Sequence, residues 1–529
     1  MPLLNTLLED TTLFASKIPK DIVIPLVFLS LSLLSLFLLG RPRRPATRLP
    51  PGPKGWPIIG NLLDLGAMPH RTLTDMRGQY GGVIWLRLGA LNTMVISSAE
   101  ASTELFKNHD LSFADRSITD VMRAHGYNEG SLALAPYGSF WRTLRRLVTV
   151  DMIVHRRINE TAHLRRKCVD DMISWVTEEA RKGTTNGGGI HLAKFVFLVS
   201  FNVLGRLMLS RDMSDPSSKE AAKLFAAIES MMEWSGHPNV VDFFPWLKWL
   251  DPQGLRRKME RDLGKALELG SKFVREKVEQ RRRRKGEGDR DKDFLDVLLE
   301  YRGSDKEDDG EPASMSERDL AIFIMEIFMA GTDTTSSTIE WAMTELLLNP
   351  SCMVMAKTEL SQVVGPTRKL EESDVENLPF LQAVVKESLR LHPPIPFLIP
   401  RKATRDTKFM GHNIPKDTQV YVNVWAIGKD PKVWEDPMKF RPERFIGSKV
   451  DYKGQHYEFT PFGAGRRMCA GLPLASRMLN LILGSLLHEF DWELPTGVTP
   501  AGLDMNDRLG VTMRKAEALL VVAKNCKQL

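Results

Sequence analysis

The chain has 529 residues, 43% of them hydrophobic and 26% charged, which is enough apolar material for a large core beneath an ordinary surface. A net charge of +6 is too mild for a nucleic-acid binder, so no nucleic-acid partner is expected. The cysteines, Cys168, Cys352, Cys469 and Cys526, include no C-x-x-C pair, which excludes a disulfide framework and a thiol zinc site and fits a reducing compartment.

Residues 22–40 (IVIPLVFLSLSLLSLFLLG) carry no charge, and 19 such residues are just enough for a helix to cross a bilayer. Arg41, Arg43, Arg44 and Arg48 follow, whereas the preceding flank mixes Glu9, Asp10 and Asp21 with Lys17 and Lys20, so the positive-inside rule puts the remainder in the cytosol. A cleaved signal peptide would instead carry a shorter apolar stretch, with basic residues before it and small ones after it. Residues 1–48 are therefore expected to form a membrane anchor with a basic flank. Residues 49–61 (LPPGPKGWPIIGN) form a Pro/Gly-rich hinge, and 62–529 a single catalytic body.

Within the body, 83–88 and 93–97 read as a strand hairpin, after which Ser98 caps a helix to Asn108. In 137–147 (YGSFWRTLRRL), Trp141 and Arg145 share one helix face while Arg142 and Arg146 project from the neighbouring one. Helical patterning dominates 139–208. Charged low-complexity segments follow at 280–293 and 303–312; the arginine run of the first lacks interleaved aromatics and reads as a solvated helix end. Ser314 with Glu317 fits a capping box for a helix running to Asn349, about 50 Å long at 1.5 Å per residue. Its middle, 330–338 (AGTDTTSST), is built from poor helix formers whose hydroxyls bend a helix by bonding carbonyls one turn back. A purely structural kink is one reading of it.

Glu387 and Arg390 lie three apart on a helix over 383–391, and 442–445 (PERF) adds Arg444. A second hairpin is expected over 408–424, where Val420, Val422 and Val424 alternate with other residues. The segment 459–471 (FTPFGAGRRMCAG) sets Cys469 among glycines and two arginines, before an apolar helix over 472–487. Glycines let a backbone pass close to a flat cofactor, and helix-start amides with arginines stabilise a thiolate. A buried structural cysteine is the alternative. The expected fold is mainly α with a small β-sheet region.

The pattern F-x-x-G-x-R-x-C-x-G, met by Phe462, Gly465, Arg467, Cys469 and Gly471, resembles the cysteine loop of the cytochromes P-450. W-x-x-x-R at Trp141 and Arg145, A-G-x-D-T-T at 330–335, E-x-x-R at Glu387 and Arg390 and PERF at 442–445 occur in that family's order. The anchor and hinge are similar to those of its microsomal members. The resemblance implies the cytochrome P-450 fold and a haem whose iron takes Cys469 as axial thiolate, favouring O–O cleavage. It further implies that Arg467, Trp141 and Arg145 contact the haem propionates and that Phe462 belongs to the cofactor-binding set. Ala330 and Gly331 would leave room for O2, Asp333 and Thr334 would deliver protons, and Glu387, Arg390 and Arg444 would form a buried structural triad. Arg142 and Arg146 would face an acidic redox partner.

The implied reaction inserts one atom of O2 into a small lipophilic substrate at the endoplasmic reticulum membrane. Its electrons come from NADPH through a separate reductase, since the chain has no flavin or nicotinamide domain. The stretches 92–117, 135–147 and 152–168 look most like the plant branch with geraniol hydroxylases and iridoid oxidases, which implies a monoterpenoid or iridoid substrate. A flavonoid, phenolic or fatty-acid hydroxylase of the same family is the alternative. A haem-thiolate isomerase or dehydratase and a non-catalytic haem-binding membrane protein are the rivals. The substrate wall is expected from 117–135, 323–330, 395–398 and 509–512, with Glu326 as a polar contact.

Overall fold

The computed structural model describes residues 48–183, 189–217, 230–283, 292–303 and 314–525, with a few isolated positions besides. The expected membrane span, much of both low-complexity segments and Cys526 lie outside the described residues. The chain divides into two units, Met1–Arg48 and Leu49–Leu529, and the second is mainly helical.

Helices that matter below are α1 (Ser139–Arg146), α2 (Ala162–Gly183), α3 (Leu192–Leu209), α4 (Leu255–Arg283), α5 (Glu317–Leu348), α6 (Pro379–Leu391) and α7 (Leu472–Glu489). The strands that matter below are β1 (Val83–Leu88), β2 (Leu91–Ile96), β3 (Asp115–Arg116), β4 (Arg401–Lys402), β5 (Gln419–Val422), β6 (Asp507–Arg508) and β7 (Arg514–Lys515). The first hairpin forms as expected, with Trp85 opposite Met94, and Ser98 caps the helix after it by accepting from the Ala101 N–H at 3.2 Å. The second expected hairpin does not form as one unit. Thr407–Phe409 pairs locally with His412–Ile414, but β5 leaves to join the first sheet, in the order β1-β2-β5-β4-β3 and parallel to β2. The alternation at Val420 and Val422 signals a strand yet carries no information about its partner, which lies more than 300 residues away.

The long helix α5 starts two residues later than expected. Ser316, not Ser314, is the N-cap and accepts from the Asp319 N–H at 3.1 Å. Its 32 residues span about 48 Å at 1.5 Å per residue. Thr332, Thr334, Thr335 and Thr338 each donate to a carbonyl four residues back at 2.7–2.8 Å, and the helix runs through them unbroken. It is buried from Leu320 to Leu347 except at Ile327, Ala330, Gly331 and Thr334, whose i, i+3, i+4, i+7 spacing places them on one face. That face is the window onto the site.

Among the described residues one helix, α3, is long and apolar enough to cross a membrane, but 78% of it is buried against the core. It packs on α5, and the apolar cores on either side of α5 both draw residues from it.

Candidate active site

The segment between Phe459 and α7 folds back under the α5 window. The Cys469 N–H donates to the Phe462 carbonyl at 2.9 Å, and Gly465 turns the chain at φ +69°. A side chain at Gly465 would do more than strain that turn, because its Cβ would meet Asp110 Oδ1 at 2.4 Å. Asp110 accepts from the Arg466 backbone N–H and from its guanidinium, both at 3.0 Å, and from Arg401 at 2.8 Å. This buried carboxylate pins the loop.

The Cys469 sulfur lines a cavity of about 300 Å³, with Ile327, Ala330, Gly331 and Thr334 of α5 on its wall. It is open to that cavity although the site lies deep in the molecule. Burial pushes the thiol pKa up, while the Gly471 N–H, the Arg145 guanidinium and the Leu472 N–H at the start of α7 pull it back. Cys168 and Cys352 are buried in the core, and burial pushes Cys168 up to about 12.

Four guanidiniums, from Arg116, Arg145, Arg401 and Arg467, line the same cavity. Arg467 donates to the carbonyls of Ala114 at 2.8 Å and Ala135 at 2.7 Å and lies 4.3 Å from the Trp141 ring centre, but its buried Nη1 has no partner. Burial and the nearby Arg401 push Arg467 down to about 10. Arg116, held by the carbonyls of Ala133 and Ile399, is lowered by burial and by Arg467 and Arg401. Arg145 reaches from α1 to the Met468 carbonyl at 2.5 Å. Trp141 spends its indole N–H on the Leu132 carbonyl at 3.0 Å, so it reaches the cavity as a ring face rather than as a donor.

Buried cations in such excess, with one bare donor, suit a dianionic group, and a sulfur facing the α5 window suits a metal beneath it. The residues therefore fit a haem. Arg116, Arg401 and Asp110 were missed by motif reading; they are single residues far apart in the chain, without a local pattern.

Other expected site residues fall as follows. Thr334 and Phe462 line the cavity. Asp333 does not: one residue along a helix turns the side chain by about 100°, and its carboxylate is fully buried against Arg514 of β7. Gly331 serves packing as well as space, because a Cβ there would lie 2.9 Å from Leu204 Cδ1 of α3. Glu326 lines the cavity, but its carboxylate is taken by the Ser131 hydroxyl and the N–H groups of Leu132 and Ala133, so it anchors that loop. Leu132, Ala133, Ile395 and Leu398 stand on the wall as expected, whereas 509–512 do not and Phe323 is in the core.

Glu387 accepts from Arg390 twice at 2.7 Å and from Arg444 at 3.0 Å; Glu387 and Arg390 are buried and Arg444 is half-buried. Arg142 and Arg146 are exposed on α1.

A mainly helical body that presents a cysteine loop to the face of one long helix is the architecture of the haem-thiolate enzymes. The chain belongs to the Cytochrome P450 family, whose profile matches residues 50–522. It is 56% identical to Cytochrome P450 76A2 of Solanum melongena over 90% of this chain and 93% of that one. It is 47% identical to Iridoid oxidase of Catharanthus roseus (97% and 99% covered) and 42% identical to Geraniol 8-hydroxylase of the same plant (90% and 94% covered). Among solved structures, a zebrafish cytochrome P450 with progesterone is similar at a TM-score of 0.73 and 28% identity, covering 86% of this chain and 99% of that one. The protein is a plant cytochrome P450 monooxygenase of the iridoid oxidase and geraniol hydroxylase branch, a family that carries haem and uses O2.

Proposed function

We propose that this enzyme is a membrane-anchored monooxygenase that hydroxylates or oxidises a terpenoid, a monoterpenoid or iridoid above all, with Cys469 as the haem ligand. The observation that carries the reading is the Cys469 sulfur, open to a cavity walled by Ile327, Ala330, Gly331 and Thr334. Haem bound there would supply the activation of O2. Arg467, through its unpartnered Nη1, with Arg116 and Arg401 beside it and Arg145 on α1, would hold the propionates, and Phe462 would pack on the ring. Glu387, Arg390 and Arg444 hold the framework behind the loop. Thr334 keeps a hydroxyl at the wall to pass a proton, while Asp333 acts through its hold on Arg514.

The substrate side, with Leu132, Ala133, Ile327, Ile395 and Leu398, is apolar, and the carboxylate of Glu326 is already satisfied. It holds a lipophilic molecule by burial at about 25 cal/mol per Å². The names of the similar plant enzymes support a terpenoid. Electrons would come from NADPH through a separate reductase. The uncharged stretch 22–40 would anchor residues 1–48 in the endoplasmic reticulum membrane, with 49–61 as hinge and 62–529 in the cytosol.

The test is spectral. Reduced protein with CO should show the red-shifted Soret band of a thiolate-ligated haem, and Cys469→Ala should lose it; a requirement for Cys168, Cys352 or Cys526 instead would overturn the ligand. Substrate-type spectral shifts with geraniol or an iridoid alcohol are expected. Shifts with flavonoids or fatty acids and with no terpenoid would overturn the substrate class alone.

A further inference from the structure

A second cavity, of about 690 Å³, adjoins the first, and Ile153, Leu204, Ile327 and Leu474 line both. That volume is within the range that holds a small organic molecule. Its floor is apolar, adding Leu207 and Met208 of α3 and Phe294 to the shared residues. Charged side chains line it too, Arg157, Arg165, Lys167, Arg206, Arg211 and Lys292 against Glu160, Asp212 and Asp293, of which Arg165 and Asp293 are buried.

Most of those charges are already neutralised. Arg165 pairs with Glu372, Arg206 with Asp212, Arg211 with Glu276 and Lys292 with Glu300. The carboxylates of Glu160 and Asp293 are held by Arg156 and Lys277. Among the described residues, Arg157 and Lys167 have no carboxylate partner. Arg157 is half-buried and spends two of its five N–H donors on the carbonyls of Asp151 and Lys292. Lys167 is exposed. Two uncompensated cations over an apolar floor are complementary to one head group and one tail.

We propose that this cavity is a regulatory site for a medium-chain lipophilic carboxylate, its head group on Arg157 and Lys167 and its tail against Leu207, Met208 and Phe294. The site communicates with the catalytic cavity through Leu204. That side chain packs so closely on α5 that a Cβ at Gly331 would lie 2.9 Å from its Cδ1, so a tail that displaces Leu204 displaces packing at the window. The proposal does not depend on which substrate the enzyme oxidises.

Decanoate is the probe, with 1-decanol as its neutral counterpart. The full-length holoenzyme is placed in nanodiscs with its catalytic cavity saturated by an azole, and binding is read by equilibrium dialysis against empty nanodiscs. One decanoate should bind per chain, at least tenfold tighter than decanol. Lys167→Glu, at an exposed side chain without a partner, should weaken it about threefold, and Arg157→Glu with Lys167→Glu at least tenfold, reading the head-group contact. Leu207→Trp, which fills the second cavity and not the first, should abolish it. No saturable binding beside the azole, displacement of decanoate by the azole, or unchanged affinity in both Lys167→Glu and Leu207→Trp would each overturn the proposal. These outcomes are separate from failure of the cysteine assignment, which is read by the CO band.

Discussion

Arg467 donates two hydrogen bonds to backbone carbonyls and leaves Nη1 buried with nothing to bond, while Arg116 and Arg401 crowd the same cavity. An interior rarely tolerates such an excess of donors unless an anion completes it. Asp110 answers part of that charge by pairing Arg401 and Arg466, and it is the reason position 465 admits no Cβ. At the same scale, Thr334 and Asp333 are neighbours in sequence with different surroundings, one at the cavity and one sealed against Arg514. Thr334→Ala should therefore keep haem and substrate binding but lose coupling, with less product and more hydrogen peroxide per NADPH consumed. An unchanged ratio of product to NADPH would make the hydroxyl purely structural.

Elements are held to one another by a few buried charges. The Glu387 carboxylate joins α6 to the PERF segment, accepting from Arg390, Arg444 and the Arg441 backbone N–H. Glu387→Gln leaves the buried Arg390 guanidinium without its counter-charge, at a cost of about 3–5 kcal/mol. The expected outcome is a fall in the yield of folded, haem-bearing protein, measured as CO-binding pigment per total protein. A different joint lies between the turn of helix Val240–Phe243 and the segment after Asp120, where the Asp120 N–H donates to Asp242 at 2.6 Å. Burial pushes Asp242 up to about 6 from an ordinary 3.8, with Asp120 adding repulsion. The folded chain thus holds this proton more tightly than the unfolded one, so the stability it contributes is complete below 3.8 and lost as pH rises to about 6. Asp242→Asn should remove that component, so the melting temperature at pH 7 should rise relative to that at pH 4 when compared with the parent protein.

For the whole molecule, the charged face of α1 matters more than the net charge. Arg142 and Arg146 are exposed while Trp141 and Arg145 of the same helix reach the cavity, so one short helix connects the outer surface with the site. Reversing both exposed charges should raise the apparent KM for the reductase, most at low ionic strength where screening is weakest. Equal kinetics of parent and variant at low salt would show that the reductase docks elsewhere.

Features built from neighbours in the chain were legible in the residues alone. The cysteine loop is such a feature, because its glycines, its arginine and the helix start that meets the sulfur lie within a dozen positions. The hairpin of β1 and β2, the Glu387–Arg390 pair and the existence of α5 are others, since strand alternation, helical spacing and turn chemistry act over a few residues. Tertiary structure alone decided the partner of β5, the direction of Asp333, the convergence of Arg401 and Asp110 on the cysteine loop and the arrival of Arg116 at the cavity beside it. It also turned Glu326 from a free carboxylate in the wall into the anchor of residues 131–133. The physical reason is common to all of them. A local pattern specifies how a segment bonds to itself, whereas a buried charge or an open strand edge takes whichever partner the packed core brings to it.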